Sequence, residues 1–186
     1  AGTISVSNVD TLIGSTDAGD IVRMLSAGTI AVSNVETVAG TSGNSDVAQL
    51  AGSTGQTIAV SAVETIRGTT ATDTVSLLMN GGYAVSGIET VIGRVGADSV
   101  SYLSGGTVGV SAIETVIGTA SSGDVAQMLA ATGTTLSVSA IESVLGTTDQ
   151  TDIVRMMQAG GVSVSNVETV IGTTATTDAA TLLGAG

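Results

Sequence analysis

Apolar and small polar residues alternate at the start of a unit that recurs along the whole chain. Thr3-Ile4-Ser5-Val6-Ser7 puts Ile4 and Val6 on one side and hydroxyl side chains on the other. That period of two marks a half-buried strand. The pairs Ile30/Val32, Ile58/Val60, Tyr83/Val85, Val108/Val110, Leu136/Val138 and Val162/Val164 repeat the pattern, mostly with the β-branched residues that a pleated surface favours. A second segment follows, most complete in Ser165-Asn166-Val167-Glu168-Thr169-Val170-Ile171-Gly172. Its apolar positions are three apart at Val6, Val9 and Leu12, which predicts corners that keep side chains pointing inward. The column of Ile13 also holds Arg67 and is expected to face solvent. A glycine closes every copy, at Gly14, Gly40, Gly68, Gly93, Gly118, Gly146 and Gly172, and is expected to supply a positive φ or a tight bend.

The third segment starts at an aspartate in each copy: Asp20, Asp46, Asp73, Asp98, Asp124, Asp152 and Asp178. Asp73-Thr74-Val75-Ser76-Leu77-Leu78 alternates like a strand, with the second and fourth residues after Asp inward. Asp124-Val125-Ala126-Gln127-Met128-Leu129 reads equally as a helical turn with Asp as its N-cap. Equivalent positions should share one conformation, and the strand accommodates all seven.

The acid of the second segment (Asp10, Glu36, Glu64, Glu89, Glu114, Glu142, Glu168) recurs every 25 to 28 residues. A fixed period in this range is the signature of a solenoid. The expected fold is therefore all-β: a parallel β-solenoid, β-helix or β-roll-like, of seven coils of 25–28 residues with three short strands per coil. Residues 1–186 form one domain of seven repeats without caps. Length varies at Gly52-Ser53-Thr54-Gly55-Gln56 and Ala130-Ala131-Thr132-Gly133-Thr134, between the third segment and the next first segment, where a loop carries no ladder. Stacking at about 4.8 Å per coil would make a rod on the order of 30 Å long.

Composition narrows the picture. With two Tyr and no Phe or Trp, the core has to be built from Val, Ile, Leu, Ala and Met in thin layers. The 26 Gly and absent Pro assign the turns to glycine and small polar residues. No apolar run approaches the ~18 residues of a membrane span, and no signal-peptide pattern opens the chain. Absent Cys excludes a disulfide scaffold and a thiolate metal site.

The net charge is −12, with no Lys or His. Nucleic acid and membrane insertion are thus not expected. Fourteen of the sixteen acids fall in the Glu168-type and Asp178-type columns. If each column stacked coil on coil, neighbouring charges would repel by about 0.9 kcal/mol per step. Two readings explain why acids persist. Each carboxylate can accept hydrogen bonds from N–H groups of its turn, or cations can bridge the column through hard oxygen ligands suited to Ca²⁺. Asp17 and Asp149 lie outside the columns, in the two copies that carry Arg23 and Arg155, and could form local ion pairs.

The stretches Gly68-Thr69-Thr70-Ala71-Thr72-Asp73-Thr74-Val75 and Gly93-Arg94-Val95-Gly96-Ala97-Asp98-Ser99-Val100 resemble degenerate repeats-in-toxin nonapeptides, G-G-x-G-x-D-x-U-x. The whole chain is similar to the solenoid repeats of large bacterial surface proteins, adhesins and surface-layer proteins. This likeness implies a parallel β-roll, Ca²⁺ between turns and a location outside the cell, at the bacterial surface. Carried over, it makes Asp73 and Asp98 the first candidate metal ligands, followed by Asp20, Asp46, Asp124, Asp152 and Asp178. Only Gly96 matches the family's third glycine, and the paired glycine is missing.

No catalytic residue is expected: His, Lys and Trp are absent, and no acid is placed just once in a way that singles out a site. An ice-binding face is suggested by Thr11, Thr37, Thr65, Thr90, Thr115 and Thr169, beside the incomplete set Thr41, Thr69, Thr119, Thr147 and Thr173. The reading that fits best is a structural, self-assembling extracellular protein whose units stack head-to-tail into a fibre or surface layer. A Ca²⁺-binding stalk of a secreted adhesin and the ice-binding solenoid are the alternatives.

Overall fold

The computed structural model describes residues 1–43, 45–130, 133–148 and 151–184. Each sequence repeat supplies three strands. The first gives β1 (Thr3–Val6), β2 (Thr11–Ile13) and β3 (Ile21–Met24), and the second gives β4 (Thr29–Ser33), β5 (Thr37–Ala39) and β6 (Val47–Leu50). Then come β7 (Thr57–Ser61), β8 (Thr65–Arg67) and β9 (Thr74–Leu77), followed by β10 (Gly82–Ser86), β11 (Thr90–Ile92) and β12 (Ser99–Tyr102). The fifth repeat contains β13 (Thr107–Ser111), β14 (Thr115–Ile117) and β15 (Val125–Met128), and the sixth β16 (Thr135–Ser139), β17 (Ser143–Leu145) and β18 (Ile153–Met156). The last contains β19 (Gly161–Ser165), β20 (Thr169–Ile171) and β21 (Ala179–Leu182). The third segment is a strand in every copy, so the helical-turn alternative is not realised.

All pairing is parallel, and each strand pairs with the next but one. The odd-numbered strands form an 11-stranded sheet and the even-numbered strands a 10-stranded sheet. The chain is a parallel β-solenoid of about ten coils of about 18 residues, with two strands per coil. This corrects the expected seven coils of three strands. Every connection, whether after the first, second or third segment, reverses the chain into the opposite sheet. Coils therefore close after two strands while the sequence repeats after three. Two repeats make three coils, and equivalent residues of successive repeats lie in opposite sheets. At about 4.8 Å per coil the stack is roughly 50 Å long rather than 30 Å.

The mismatch is tolerated because the three segment types are interchangeable toward the core. Along each sheet their order is fixed as first, third, second, with registers such as Thr3↔Ile21 and Val6↔Met24, then Ile21↔Thr37 and Arg23↔Ala39, then Thr37↔Ala59 and Ala39↔Ser61. Whichever segment occupies a coil, its alternate residues point inward. Val22/Met24, Ala48/Leu50, Val75/Leu77 and Val100/Tyr102 are buried, as expected for the second and fourth residues after Asp. They join Ile30, Val32, Val38, Val60 and Ile66 in one apolar core between the sheets. Ile13 and Arg67 are exposed, as expected for their column.

The corners between first and second segments fall where the three-residue spacing places them, with Val35, Val63 and Ile88 buried at the bend. Their geometry differs from expectation. None of the seven motif glycines has a positive φ. That conformation falls six residues earlier, at Asn8, Asn34, Ala62, Gly87, Ala112, Ala140 and Asn166, with φ between 50° and 60°. The motif glycine is needed for closeness instead. A Cβ on Gly118 would stand 1.8 Å from the carbonyl oxygen of Ala140 in the next coil, and one on Gly40 the same distance from that of Ala62. The backbones touch there, and only glycine leaves the space.

Candidate functional site

The chemistry of this chain is concentrated at the corners where each repeat presents its aspartate. In Gly40-Thr41-Ser42-Gly43 the chain leaves β5, and it re-enters the stack at Asp46 before β6. Asp46 Oδ2 accepts from the Thr41 N–H at 2.6 Å and from the Thr41 hydroxyl at 2.8 Å. Its Oδ1 accepts from the Gly28 N–H of the preceding coil at 3.1 Å. Asp73 does the same with Thr69 and the Gln56 N–H, Asp124 with Thr119 and the Gly106 N–H, and Asp152 with Thr147 and the Thr134 N–H. Asp98 accepts from the N–H groups of Arg94 and Gly81. Asp46, Asp73, Asp124 and Asp152 are wholly buried and Asp98 nearly so.

The end copies follow the same plan with more exposure. Asp20 is held by the hydroxyl and N–H of Ser15 and the N–H of Gly2. The Ser15 hydroxyl, then its N–H, are the main causes that lower the Asp20 pKa below the usual value. Asp178 is likewise lowered, first by the Thr173 hydroxyl bond.

The second acid completes the corner from the following coil. Glu64 Oε2 accepts the Asp46 N–H at 2.9 Å, and the Asp46 carbonyl accepts the N–H groups of Glu64 and Thr65, each at 3.1 Å. Glu36 on Asp20, Glu89 on Asp73, Glu114 on Asp98, Glu142 on Asp124 and Glu168 on Asp152 repeat it. At every internal corner, acids thus come as an Asp and a Glu one coil apart, and the third coil contributes a neutral residue such as Gly28, Gln56 or Gly81. The two continuous acidic columns expected from the sequence do not form. Acids of one type recur on the same face only every third coil, about 14 Å apart, and the repulsion between stacked copies is correspondingly weak.

These corners tie successive coils together through charge-assisted hydrogen bonds, which are about twice as strong as neutral ones. Among the described residues no group of three or more His, Cys, Asp or Glu stands close enough to hold a metal. The carboxylate oxygens are also already engaged by the protein's own donors. Both oxygens of Asp46, Asp73, Asp98, Asp124 and Asp152 face N–H or O–H donors, and the adjoining carbonyl receives two N–H groups. Of the candidate ligands, none of Asp20, Asp46, Asp73, Asp98, Asp124, Asp152 and Asp178 is brought beside another. As it stands in the structure, the corner is a carboxylate cap on backbone N–H groups.

Two features were missed in the sequence. The hydroxyl that follows six of the seven motif glycines (Ser15, Thr41, Thr69, Thr119, Thr147, Thr173) is turned onto the Asp carboxylate and is not offered outward as part of a flat threonine face. The Thr11-type set is no column either: Thr65 has Val47 and Ala84 as its neighbours in register. A Gly-Ser/Thr pair with three or four residues before the Asp was the available signal for the first feature. Asp17 lies 3.8 Å from the N-terminal ammonium and makes no ion pair with Arg23 among the described residues. Asp149 lies outside the described residues, as does part of the Ala130–Thr134 insertion. The other insertion, Gly52–Gln56, is a loop as expected. No helix of the described chain is long and apolar enough to cross a membrane. No protein-family model, curated protein or solved structure matches this chain.

Proposed function

We propose that this chain is a structural building block whose solenoids stack head-to-tail into a fibre or layer. The observation that carries this reading is the uninterrupted parallel stacking of the described strands into two sheets, in which each segment type is followed by the next in one fixed order. Parallel strand edges are templates for further strands, so an architecture of this kind extends along its own axis. A heterologous contact of that kind does not close on itself and grows as an open filament. The repeat acids support a scaffold role over catalysis, because the seven Asp carboxylates that open the third segments and all six Glu carboxylates are occupied in holding backbone. Likeness to repeats-in-toxin solenoids and the net charge of −12 support a place outside the cell, at a bacterial surface.

Light scattering and negative-stain electron microscopy across a concentration series test the proposal. Rods that lengthen with concentration, in multiples of roughly 50 Å, are the expected result. A chain that remains monomeric at the highest soluble concentration would remove the assembly reading.

A further inference from the structure

The charges of this chain are sorted between its broad faces and its narrow edges. Among the described residues no acid lies in a strand, so the carboxylates stand in the corners and turns that border the two sheets. The strands hold three arginines instead. Arg67 on β8 and Arg155 on β18 point outward from the even-numbered sheet, and Arg23 on β3 points outward from the odd-numbered one. From β5 to β19, eight consecutive strands, the outer face of the odd-numbered sheet has no charged residue. Arg94 stands at its margin, beyond β11, and its guanidinium donates to the Leu78 carbonyl at 2.6 Å. In a chain of net charge −12 this is a neutral plane between two acidic rims.

The plane also carries large aliphatic side chains. Leu78, Ile92 and Leu129 are 40%, 40% and 42% exposed, and Leu145 is half-buried beside them. The register sets them in two pairs. Ile92 lies beside Ser76, which makes Leu78 its diagonal neighbour, and Leu145 lies beside Gln127, which makes Leu129 its diagonal neighbour. The pairs are three coils apart, about 14 Å. First-type strands flank them with small outward residues, Ala59 and Ser61 on β7 and Ser163 and Ser165 on β19. On β13, Leu129 lies back across Gly109, where a Cβ would stand 2.7 Å from its Cδ1. The result is low aliphatic ridges and shallow furrows that repeat every three coils.

We propose that two copies of this chain pair laterally, the outer face of one odd-numbered sheet packed on the same face of the other. The ridges of each copy lie in the furrows of its partner, with the facing sheets about 10 Å apart. The rims repel nucleic acid and anionic lipid, and a basic partner would be drawn to the rims rather than to the neutral plane. A flat, neutral sheet of matching period is what the face itself offers, and a twofold contact brings it onto itself. The size suffices. Eight strands at about 4.8 Å, each about 16 Å long, give about 600 Å² per copy and about 1,200 Å² for the pair, the lower end of specific interfaces. An uncharged centre with a charged rim is also the usual anatomy of such a contact. The even-numbered sheet is unsuited to the same pairing, because Arg67 and Arg155 would be buried against a face without carboxylates. This contact runs along the side of the rod and is independent of the head-to-tail reading.

Ile92→Arg tests the pairing without disturbing the fold, because Arg67 occupies the same position of another repeat. Gln127→Arg follows the precedent of Arg23 and Arg155 in the same way. Ile117→Arg, the matching change on the even-numbered face, is the control. All three should melt like the parent chain. Small-angle X-ray scattering and sedimentation equilibrium over a concentration series separate thickness from length. The parent should reach about twice its single-rod thickness, whereas head-to-tail growth lengthens a rod of constant thickness. Ile92→Arg and Gln127→Arg should each weaken the lateral pair by about tenfold or more, and Ile117→Arg by less than about twofold. Added salt should tighten the pair by screening the acidic rims from each other.

A single thickness at every concentration and salt would overturn the lateral pair, as would an equal loss with Ile117→Arg or an association that weakens as salt rises. Rods that lengthen without thickening would leave head-to-tail assembly standing and remove this proposal. Thickening without lengthening would do the reverse.

Discussion

Asp98 and Glu114, one coil apart at the same corner, cap each other's backbone: Glu114 Oε2 accepts the Asp98 N–H at 2.7 Å, and the Asp98 carbonyl accepts the Glu114 N–H at 3.1 Å. The Asp98 side chain meanwhile reaches back to the Gly81 N–H of the coil before. One aspartate thus fastens three consecutive coils. Asp98→Ala should leave the half-buried N–H donors of Arg94 and Gly81 without their acceptor and lower stability by about 2 kcal/mol. Glu114→Gln, which keeps an acceptor and drops the charge, should cost less. Urea unfolding of both variants checks the order.

The contact between motif glycine and next-coil carbonyl makes Gly118→Ala one of the most damaging single-methyl changes available. Its Cβ would stand 1.8 Å from the Ala140 oxygen and 2.8 Å from the Asp124 Oδ2. A loss of about 3 kcal/mol is expected, at the top of the usual range for overpacking. Gly2→Ala, which meets open space, should be nearly neutral in the same melts.

Ala112 sits at φ +52° in the left-handed region, where a Cβ costs about 1–2 kcal/mol. Its counterparts in other repeats are Asn34, Gly87 and Asn166. Ala112→Gly should raise stability by up to about 1 kcal/mol, the relief of strain being partly offset by the freer unfolded chain. A higher melting temperature is the readout.

The lowered pKa values of Asp20 and Asp178 set the response to acid. A carboxylate held below its unfolded value stabilises the fold fully above that value, about 3.9. That stability is lost as the pH falls through the lower folded value. Stability should therefore be flat from neutral pH down to about 4.5 and fall below about 4. Thermal melts at closely spaced acidic pH values test this.

Calcium offers a sharp check on the corner chemistry. With the Asp oxygens facing N–H and O–H donors, millimolar Ca²⁺ and chelator should give the same melting temperature. A rise of several degrees with Ca²⁺ would show that the carboxylates prefer a cation to their present partners.

How far the sequence reached depends on which property each residue serves. Val22, Met24 and their equivalents were placed inward correctly, because period two survives whichever sheet receives the strand. The solvent position of Ile13 and Arg67 followed for the same reason. The coil count was lost because the repeat visible in the residues counts three strands, whereas closure depends on the reversal at each corner, which no composition signal distinguishes. The left-handed residue was legible at Asn8, Asn34, Gly87 and Asn166, but Ala62, Ala112 and Ala140 concealed it, and the invariant glycine drew attention to the wrong position. The acids were recognised as turn elements or ligands, and only three-dimensional stacking of Asp on Glu separates those two.

The ratio of three strands per repeat to two per coil also governs how such a gene can change length. Deleting or duplicating a single repeat leaves every strand junction chemically legal, yet it transposes all later side chains to the opposite sheet. A feature evolved on one broad face would then point the other way from its upstream neighbours. Only gains or losses in pairs of repeats preserve facing, so any surface selected for one-sided contact constrains the repeat number to change by twos.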